Sequence, residues 1–418
     1  MVEKNTVTKN TNARKRNCLV AQSGGPSVAI NASLAGVIKA CLKSDEIDTI
    51  YGGKNGIAGI LQENLVALND IFLLEGNLEK LGKTPSMYLG SCRYKMKSLS
   101  EDTSDYDKLL EIFEKYEIGY FFYIGGNDSM DTVYKLSLYT KQKGLDVIVM
   151  GVPKTIDNDL TCIDHTPGFG SAAKYIATSV LEMAHDTYIY DMETVLIVEI
   201  MGRNAGWLTA ASALARTPYS QAPHLIYLPE VPFSKEAFVQ DVKEALKKQK
   251  YVVVAVSEGI KDQNGVYISA QGEKKDQFGH VMLSGTGEYL KSVVSQEIGC
   301  KVRSVELNVL QRAASHWASK TDLEESEKLG ENAVELALKG VTGEMSILTR
   351  TSDAPYQVEY ASADIAKIAN AEKKVPMEFI QEGKADVTEQ MLTYLRPLIQ
   401  GNIDVFMKDG MPDYLFLE

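Results

Sequence analysis

Cysteine is scarce and unpatterned in this 418-residue chain. Cys18, Cys41, Cys92, Cys162 and Cys300 make an odd count with no metal or redox spacing. That argues against a disulfide framework and for a reducing, cytoplasmic setting. Long apolar runs are missing as well. The longest are of strand length, so no membrane span is expected. The polar N-terminus lacks the hydrophobic segment of a signal peptide. Positive charge is in the minority, with 44 Lys and Arg against 56 Asp and Glu and a net charge of −12. No basic block exceeds the short patch Arg14-Lys15-Arg16. Nucleic acid and anionic membrane are therefore not expected as partners, and an anionic substrate must be met by a local cationic pocket. The five histidines are scattered without zinc spacing. A hydrolase nucleophile elbow, the Gly-x-Gly-x-x-Gly fingerprint after the first strand and the standard P-loop are all absent.

What is present is an alternation of buried strands and helices. Apolar residues make up 44% and charged residues 24%, and 418 residues suggest two domains or one with large additions. Asn17–Gln22 reads as a first strand, Ser23-Gly24-Gly25-Pro26 as a tight loop, and Ile30, Leu34, Val37, Ile38 and Cys41 as the buried stripe of a helix. Further strands are expected at about 118–124, 146–152, 194–200, 224–228 and 251–257. Helices are expected at about 128–142, 169–186, 204–215, 234–249, 285–298 and 325–339. This predicts an α/β fold with mainly parallel sheets covered on both faces. Residues 1–16 read as a loose arm. The tail, 376–418, reads as helical and then aromatic and acidic, an appended element packed on a domain or on a neighbouring subunit.

Ligands of open α/β sheets bind beyond the carboxyl ends of the strands, and several such ends are chemically loaded. Ser23-Gly24-Gly25-Pro26 would let a phosphate approach the backbone at a helix N-terminus, although for so short a motif a plain tight turn is the simpler reading. Gly125-Gly126-Asn127-Asp128-Ser129 repeats that geometry, with Asp128 and Ser129 as alternative N-caps. A carboxylate there repels an anion by about 4 kcal/mol at about 4 Å and an effective dielectric near 20. Asp128 therefore holds Mg²⁺, excludes part of a polyphosphate, or does both. Pro153-Lys154-Thr155-Ile156-Asp157-Asn158-Asp159 is the densest cluster: one carboxylate suits a general base and the lysine a phosphoryl clamp. Met201-Gly202-Arg203 closes another strand with an arginine suited to phosphate, or to an interdomain salt bridge. Glu258 follows Tyr251–Ser257 and suits a sugar hydroxyl, or a cap.

Taken in order, Ser23-Gly24-Gly25, Gly125–Ser129, Pro153–Asp159, Met201-Gly202-Arg203, Glu258 and Gln311-Arg312 resemble the phosphofructokinases, over roughly residues 17–375. The resemblance implies two Rossmann-like domains with the active site in the cleft between them and a C-terminal helical extension. The phosphoryl-donor half would comprise 17–168 plus about 311–375, the sugar-phosphate half 169–310, and the extension 376–418. It implies Asp157 as the base toward the sugar 1-hydroxyl, with Lys154 and Arg203 beside it in catalysis. Thr155 and Ile156 would lie at substrate and transferred phosphate, and Met201, Gly202, Arg203 and Glu258 at the sugar phosphate. Arg312 would meet the 6-phosphate, and Arg303 would reach in from a neighbouring subunit. Gly24, Arg93, Asp128 and Ser129 would hold the donor. The metal position falls on Asn127, where ATP users carry aspartate, so Asp128 would share the Mg²⁺.

ATP-dependent members have glycine where this chain has Asp128 and Lys154, so the pair resembles the diphosphate-dependent branch. The implied reaction is reversible transfer from diphosphate to fructose 6-phosphate, giving fructose 1,6-bisphosphate and phosphate, in glycolysis or gluconeogenesis. The alternatives are an ATP-dependent 6-phosphofructokinase and a non-catalytic sugar-phosphate sensor. The chain departs from the family at Asn308, where a histidine is usual, and at Thr194, where bacterial ATP users place an arginine acting across subunits. A homodimer or homotetramer is implied.

Overall fold

A computed structural model describes residues 15–268 and 285–417 of the chain. The expected N-terminal arm lies almost wholly outside the described residues. The strands are β1 (Arg16–Gln22), β2 (Ile47–Gly53), β3 (Leu65–Ala67), β4 (Ile118–Gly125), β5 (Ile148–Pro153), β6 (Thr194–Ile200), β7 (Leu225–Tyr227), β8 (Tyr251–Ser257), β9 (Lys301–Glu306), β10 (Glu344–Asp353) and β11 (Tyr356–Asp364). The first seven helices are α1 (Ile30–Lys43), α2 (Gly56–Leu61), α3 (Asn69–Phe72), α4 (Asn77–Lys83), α5 (Ser104–Lys115), α6 (Asn127–Lys143) and α7 (Phe169–Tyr188). They are followed by α8 (Trp207–Ala211), α9 (Lys235–Lys248), α10 (Thr286–Glu297), α11 (Leu310–Ala313), α12 (Lys320–Leu338) and α13 (Glu389–Leu395).

Two sheets result. Seven strands run in the order β11-β10-β5-β4-β1-β2-β3, and four in the order β7-β8-β6-β9. The pairs β1–β4, β4–β5, β6–β8 and β6–β9 are parallel, as strands joined through helical crossovers must be. Within these two sheets, antiparallel pairing is confined to β3 on β2 and to the β10–β11 ribbon. The inner strands β4, β5 and β6 are buried at every position, which is why they read as continuous apolar runs. Separate cores cover the two faces of each sheet.

After α12 the chain returns to the first sheet, where β10 pairs with β5. The return depends on a close helix contact. A Cβ on Gly36 of α1 would lie 1.9 Å from the Glu327 carbonyl oxygen of α12, and one on Gly330 would lie 2.2 Å from that of Ser33. Only glycine permits backbones that near.

The tail differs from its expectation as a helical extension. It holds one seven-residue helix, α13, with short 3₁₀ turns and a small hairpin, Met407–Lys408 on Met411–Pro412. Pro397 and Gly401 punctuate it, so no long helix propagates. It packs on its own chain. Met391, Leu395 and Leu398 join the core beside the four-stranded sheet, and Leu415 and Leu417 pack on the seven-stranded one. Strands β2, β3, β9, β10 and β11 were not expected. The charged, half-exposed Lys301–Glu306 carries no apolar run, and β11 buries no position fully, its residues being half-buried or exposed.

Candidate active site

The carboxyl ends of β1, β4 and β5, adjacent in the large sheet, face those of β6, β8 and β9 across a cleft of about 860 Å³. Lys154 ties the donor-side loops together. Its backbone N–H donates to the Gly125 carbonyl (2.9 Å) and its Nζ to the Gly25 carbonyl (2.6 Å). Gly24 beside it has φ of +81°, and a Cβ there would lie 3.4 Å from Nζ. Burial brings the Lys154 ammonium down to about 8, although Asp157 opposes the shift.

Asp157 follows on the same loop, its N–H donating to Thr155 Oγ1 (3.1 Å). Burial raises the carboxyl above its ordinary range, against the pull of Lys154, Arg203 and Arg312. Asp159 is pushed up to about 7 by burial and by Asp157 and Glu372, and its Oδ1 is buried without a partner. Glu258 is likewise raised to about 7, chiefly by burial, while accepting from the Gly202 N–H at 3.3 Å. The Nε atoms of Arg203 and Arg312 are buried with no hydrogen-bond partner. Unsatisfied guanidinium donors in a cleft are costly unless an anion meets them.

Gly24, Arg93, Asn127, Asp128, Ser129, Lys154, Thr155, Ile156, Asp157, Met201, Arg203, Glu258 and Arg312 all line this one cleft. Gly202 lies just behind it, holding Glu258. Arg303 stands apart on β9, half-exposed, with Asp186 at 3.4 Å. Asn127 uses both ends of its amide on a remote loop: Nδ2 donates to the Ala371 carbonyl (2.5 Å) and Oδ1 accepts from the Asn370 N–H (2.8 Å). Asp128 is half-exposed, with Lys95 at 3.9 Å. Thr194 is buried at the start of β6.

Sequence reasoning missed Lys95, Asn204, Glu306, Asn370 and Glu372, which also line the cleft, and gave Asp159 no role of its own. Glu306 stands two residues before Asn308, whose Nδ2 donates to its Oε1 (3.2 Å), so the Gln311-Arg312 motif pointed near it. Gln311 accepts from the Met201 N–H (3.3 Å) and donates to the Asn308 carbonyl (2.9 Å), fixing that turn against β6. Glu372 has no local signal, since only the return of the chain after β11 brings it to the cleft.

No group of three or more His, Cys, Asp or Glu suited to a metal occurs among the described residues. A Mg²⁺ that relies on substrate phosphates needs only one or two carboxylates, and the half-exposed Asp128 puts one in the cleft. No helix among the described residues is long and apolar enough to cross a membrane.

The family model described as Phosphofructokinase matches residues 17–337. The pyrophosphate–fructose 6-phosphate 1-phosphotransferase of Halomonas elongata is 42% identical over 401 residues, 95% of each chain. That of Methylococcus capsulatus is 41% identical over 405 residues, 96% of each. Among solved structures, the pyrophosphate-dependent phosphofructokinase from Nitrosospira multiformis superposes with a TM-score of 0.85 at 40% identity, covering 96% of both chains.

Proposed function

The chain belongs to the phosphofructokinase family, and we propose that it is the diphosphate-dependent enzyme, transferring a phosphoryl group reversibly between diphosphate and the 1-hydroxyl of fructose 6-phosphate. Names and near-full-length similarity of the relatives support that reading. The observation that carries the chemistry is the position of Asp157, a carboxylate of raised basicity set among Lys154, Arg203 and Arg312.

Asp157 takes the proton from the sugar 1-hydroxyl. That oxygen forms a bond to the near phosphorus as the bond to the bridging oxygen breaks, and orthophosphate leaves. Base assistance of this kind contributes about 10²–10⁴ in rate. Lys154 and the Gly24 and Gly126 backbone hold the donor, with Arg93 and Ser129 beside them. Met201, Gly202, Arg203, Glu258 and Arg312 hold the sugar phosphate, and Thr155 and Ile156 line the path between. Asp128 would hold a Mg²⁺, which would supply charge neutralisation. Asn127 is the weaker ligand because its amide is already engaged. Asp128 also repels the further phosphate of a nucleotide, whereas Lys154 favours the shorter donor. The seven-stranded sheet serves as the donor half and the four-stranded sheet as the sugar-phosphate half. We assign Arg303 to the sugar phosphate of a partner subunit, which makes the enzyme at least a dimer. We place the reaction in glycolysis or gluconeogenesis and, from the unpatterned cysteines, in the cytoplasm.

Initial rates in both directions, with diphosphate and ATP as donors, test the reading. Turnover is expected with diphosphate. Comparable or faster turnover with ATP would overturn the donor assignment, and ligand binding without turnover from either donor would overturn the enzyme.

A further inference from the structure

The loop that carries Asp157 is shaped from outside the cleft. Asn158, the next residue, is fully buried and left-handed at φ 54°, a conformation that costs free energy in a residue other than glycine unless its surroundings fix it. Its amide is held on both sides. Nδ2 donates to Tyr394 Oη (2.9 Å), and Oδ1 accepts from the Thr166 N–H (3.1 Å) and from Lys373 Nζ (3.3 Å). Lys373 gives its other two ammonium protons to the carbonyls of Ile163 (3.2 Å) and Asp164 (2.7 Å). Its backbone N–H donates to the Asp159 carbonyl at 2.7 Å. The Tyr394 hydroxyl donates to the Asp164 carbonyl at 2.8 Å.

Trp207 closes this cluster from the other sheet. Its ring lies 5.3 Å from the Lys373 ammonium, its centroid 5.3 Å from that of Tyr394, and its indole N–H donates to the Lys373 carbonyl at 3.0 Å. Neither Lys373 nor Tyr394 lines the cleft. Burial brings the Lys373 ammonium down to about 8, so it is still charged at neutral pH. A buried charge that spends every proton on one loop determines that loop's shape.

We propose that Lys373 and Tyr394 are positioning residues for the catalytic base: they grip Asn158 from two sides, fix the backbone from which Asp157 projects, and through Trp207 tie it to the sugar-phosphate side. The inference rests on the phosphoryl-transfer reading above. It gives the returning segment and the tail a part in catalysis that no residue in the cleft reveals. Small misplacements of a reacting group lower turnover steeply, whereas ligand affinity is set by side chains that these two do not touch.

Full-length wild type, Tyr394→Phe and Lys373→Met are compared in steady state with diphosphate and fructose 6-phosphate. Tyr394→Phe keeps the ring in its aromatic cluster and removes only the hydroxyl. Its kcat is expected to fall about tenfold, and that of Lys373→Met about thirtyfold or more, with both KM values within about twofold of wild type. Arg396→Ala, which breaks an exposed pair with Glu389 on the same segment, is expected to keep wild-type kcat and so excludes a general loosening of the tail. An unchanged kcat per folded Tyr394→Phe molecule, with only a lower melting temperature, would overturn the proposal. So would raised KM values at wild-type kcat. Should Lys373→Met not fold, Tyr394→Phe decides alone. Wild-type turnover is measured first: its absence would remove the functional reading, and the inference with it, before any variant is compared.

Discussion

At the scale of single residues, the cleft is built from groups whose ordinary charges are opposed by burial. Asp157 is raised above the usual aspartate range, and Lys154 is lowered to about 8. The proposed mechanism requires the first ionised and the second protonated. The rate therefore falls on the acid side at a pH above that of an ordinary aspartate, and on the alkaline side near pH 8. A kcat/KM profile checks both limbs. Lys154→Arg is expected to move the alkaline limb upward, and a limb still near 8 in that variant would assign it to another group. Asp157→Ser is expected to lower kcat by about 10²–10⁴ with substrate affinity largely kept. Unchanged turnover would remove Asp157 as the base. Asp128→Gly combined with Lys154→Gly is expected to raise ATP use and lower diphosphate use. A double variant that still ignores ATP would show that a third feature, such as the Asn370–Glu372 loop, governs donor size. The motif residues up to Glu258 were legible because each follows a buried strand, where a polar cluster has no packing reason to exist. Glu372 was not, because its place depends on a chain return more than two hundred residues downstream of the motif it joins.

At the scale of elements, legibility followed burial on both faces. Strands β4, β5, β6 and β8 read clearly because an inner parallel strand is apolar throughout. β9 and β11 lie at sheet edges and β10 beside one, and all three interleave polar and charged residues with apolar ones, so their pattern competes with that of loops. α12 was expected too late, at about 325, because its true start is set by Ser319, whose side chain accepts from the Asp322 N–H. The contact of α12 with α1 supplies a direct test of packing. Gly330→Ala must displace backbone, not a flexible side chain, and is expected to cost about 3 kcal/mol, read as a lower midpoint in denaturant. A second test concerns the loop below the site. His165 sits between Asp164 (2.8 Å) and Glu325 (2.7 Å). Burial disfavours its charge, yet the two carboxylates outweigh burial and hold its pKa at about 9, above the ordinary 6.5. A raised folded value means that the stabilisation is complete below 6.5 and is lost as pH rises through 9. The stability difference between wild type and His165→Gln is therefore expected to narrow over that window. A difference independent of pH would mean that His165 is neutral in the fold.

At the scale of the whole molecule, a chain with net charge −12 binds two phosphorylated substrates by concentrating cations at one place. The sequence implied as much, and its family resemblance sent Arg303 to a neighbouring subunit. That residue lies on β9, the outer strand of the four-stranded sheet, away from the cleft of its own chain. The exposed Tyr190 ring lies 6.0 Å from its guanidinium, and Tyr188, Ile189 and Met192, flanking Tyr190 in the chain, are exposed as well. A surface of that kind suits a two-fold contact, in which each subunit lends the other the same group. If so, a site needs Asp157 from one chain and Arg303 from its partner. Asp157→Ser and Arg303→Ala are then each expected to be nearly inactive alone. In a randomly reassorted mixture, half of the dimers are mixed, and one of the two sites in each has both groups intact, so about a quarter of wild-type activity returns. Activity that stays at the level of the separate variants after dissociation and reassembly would place Arg303 outside the partner's site. A fully active Arg303→Ala would remove it from the chemistry altogether.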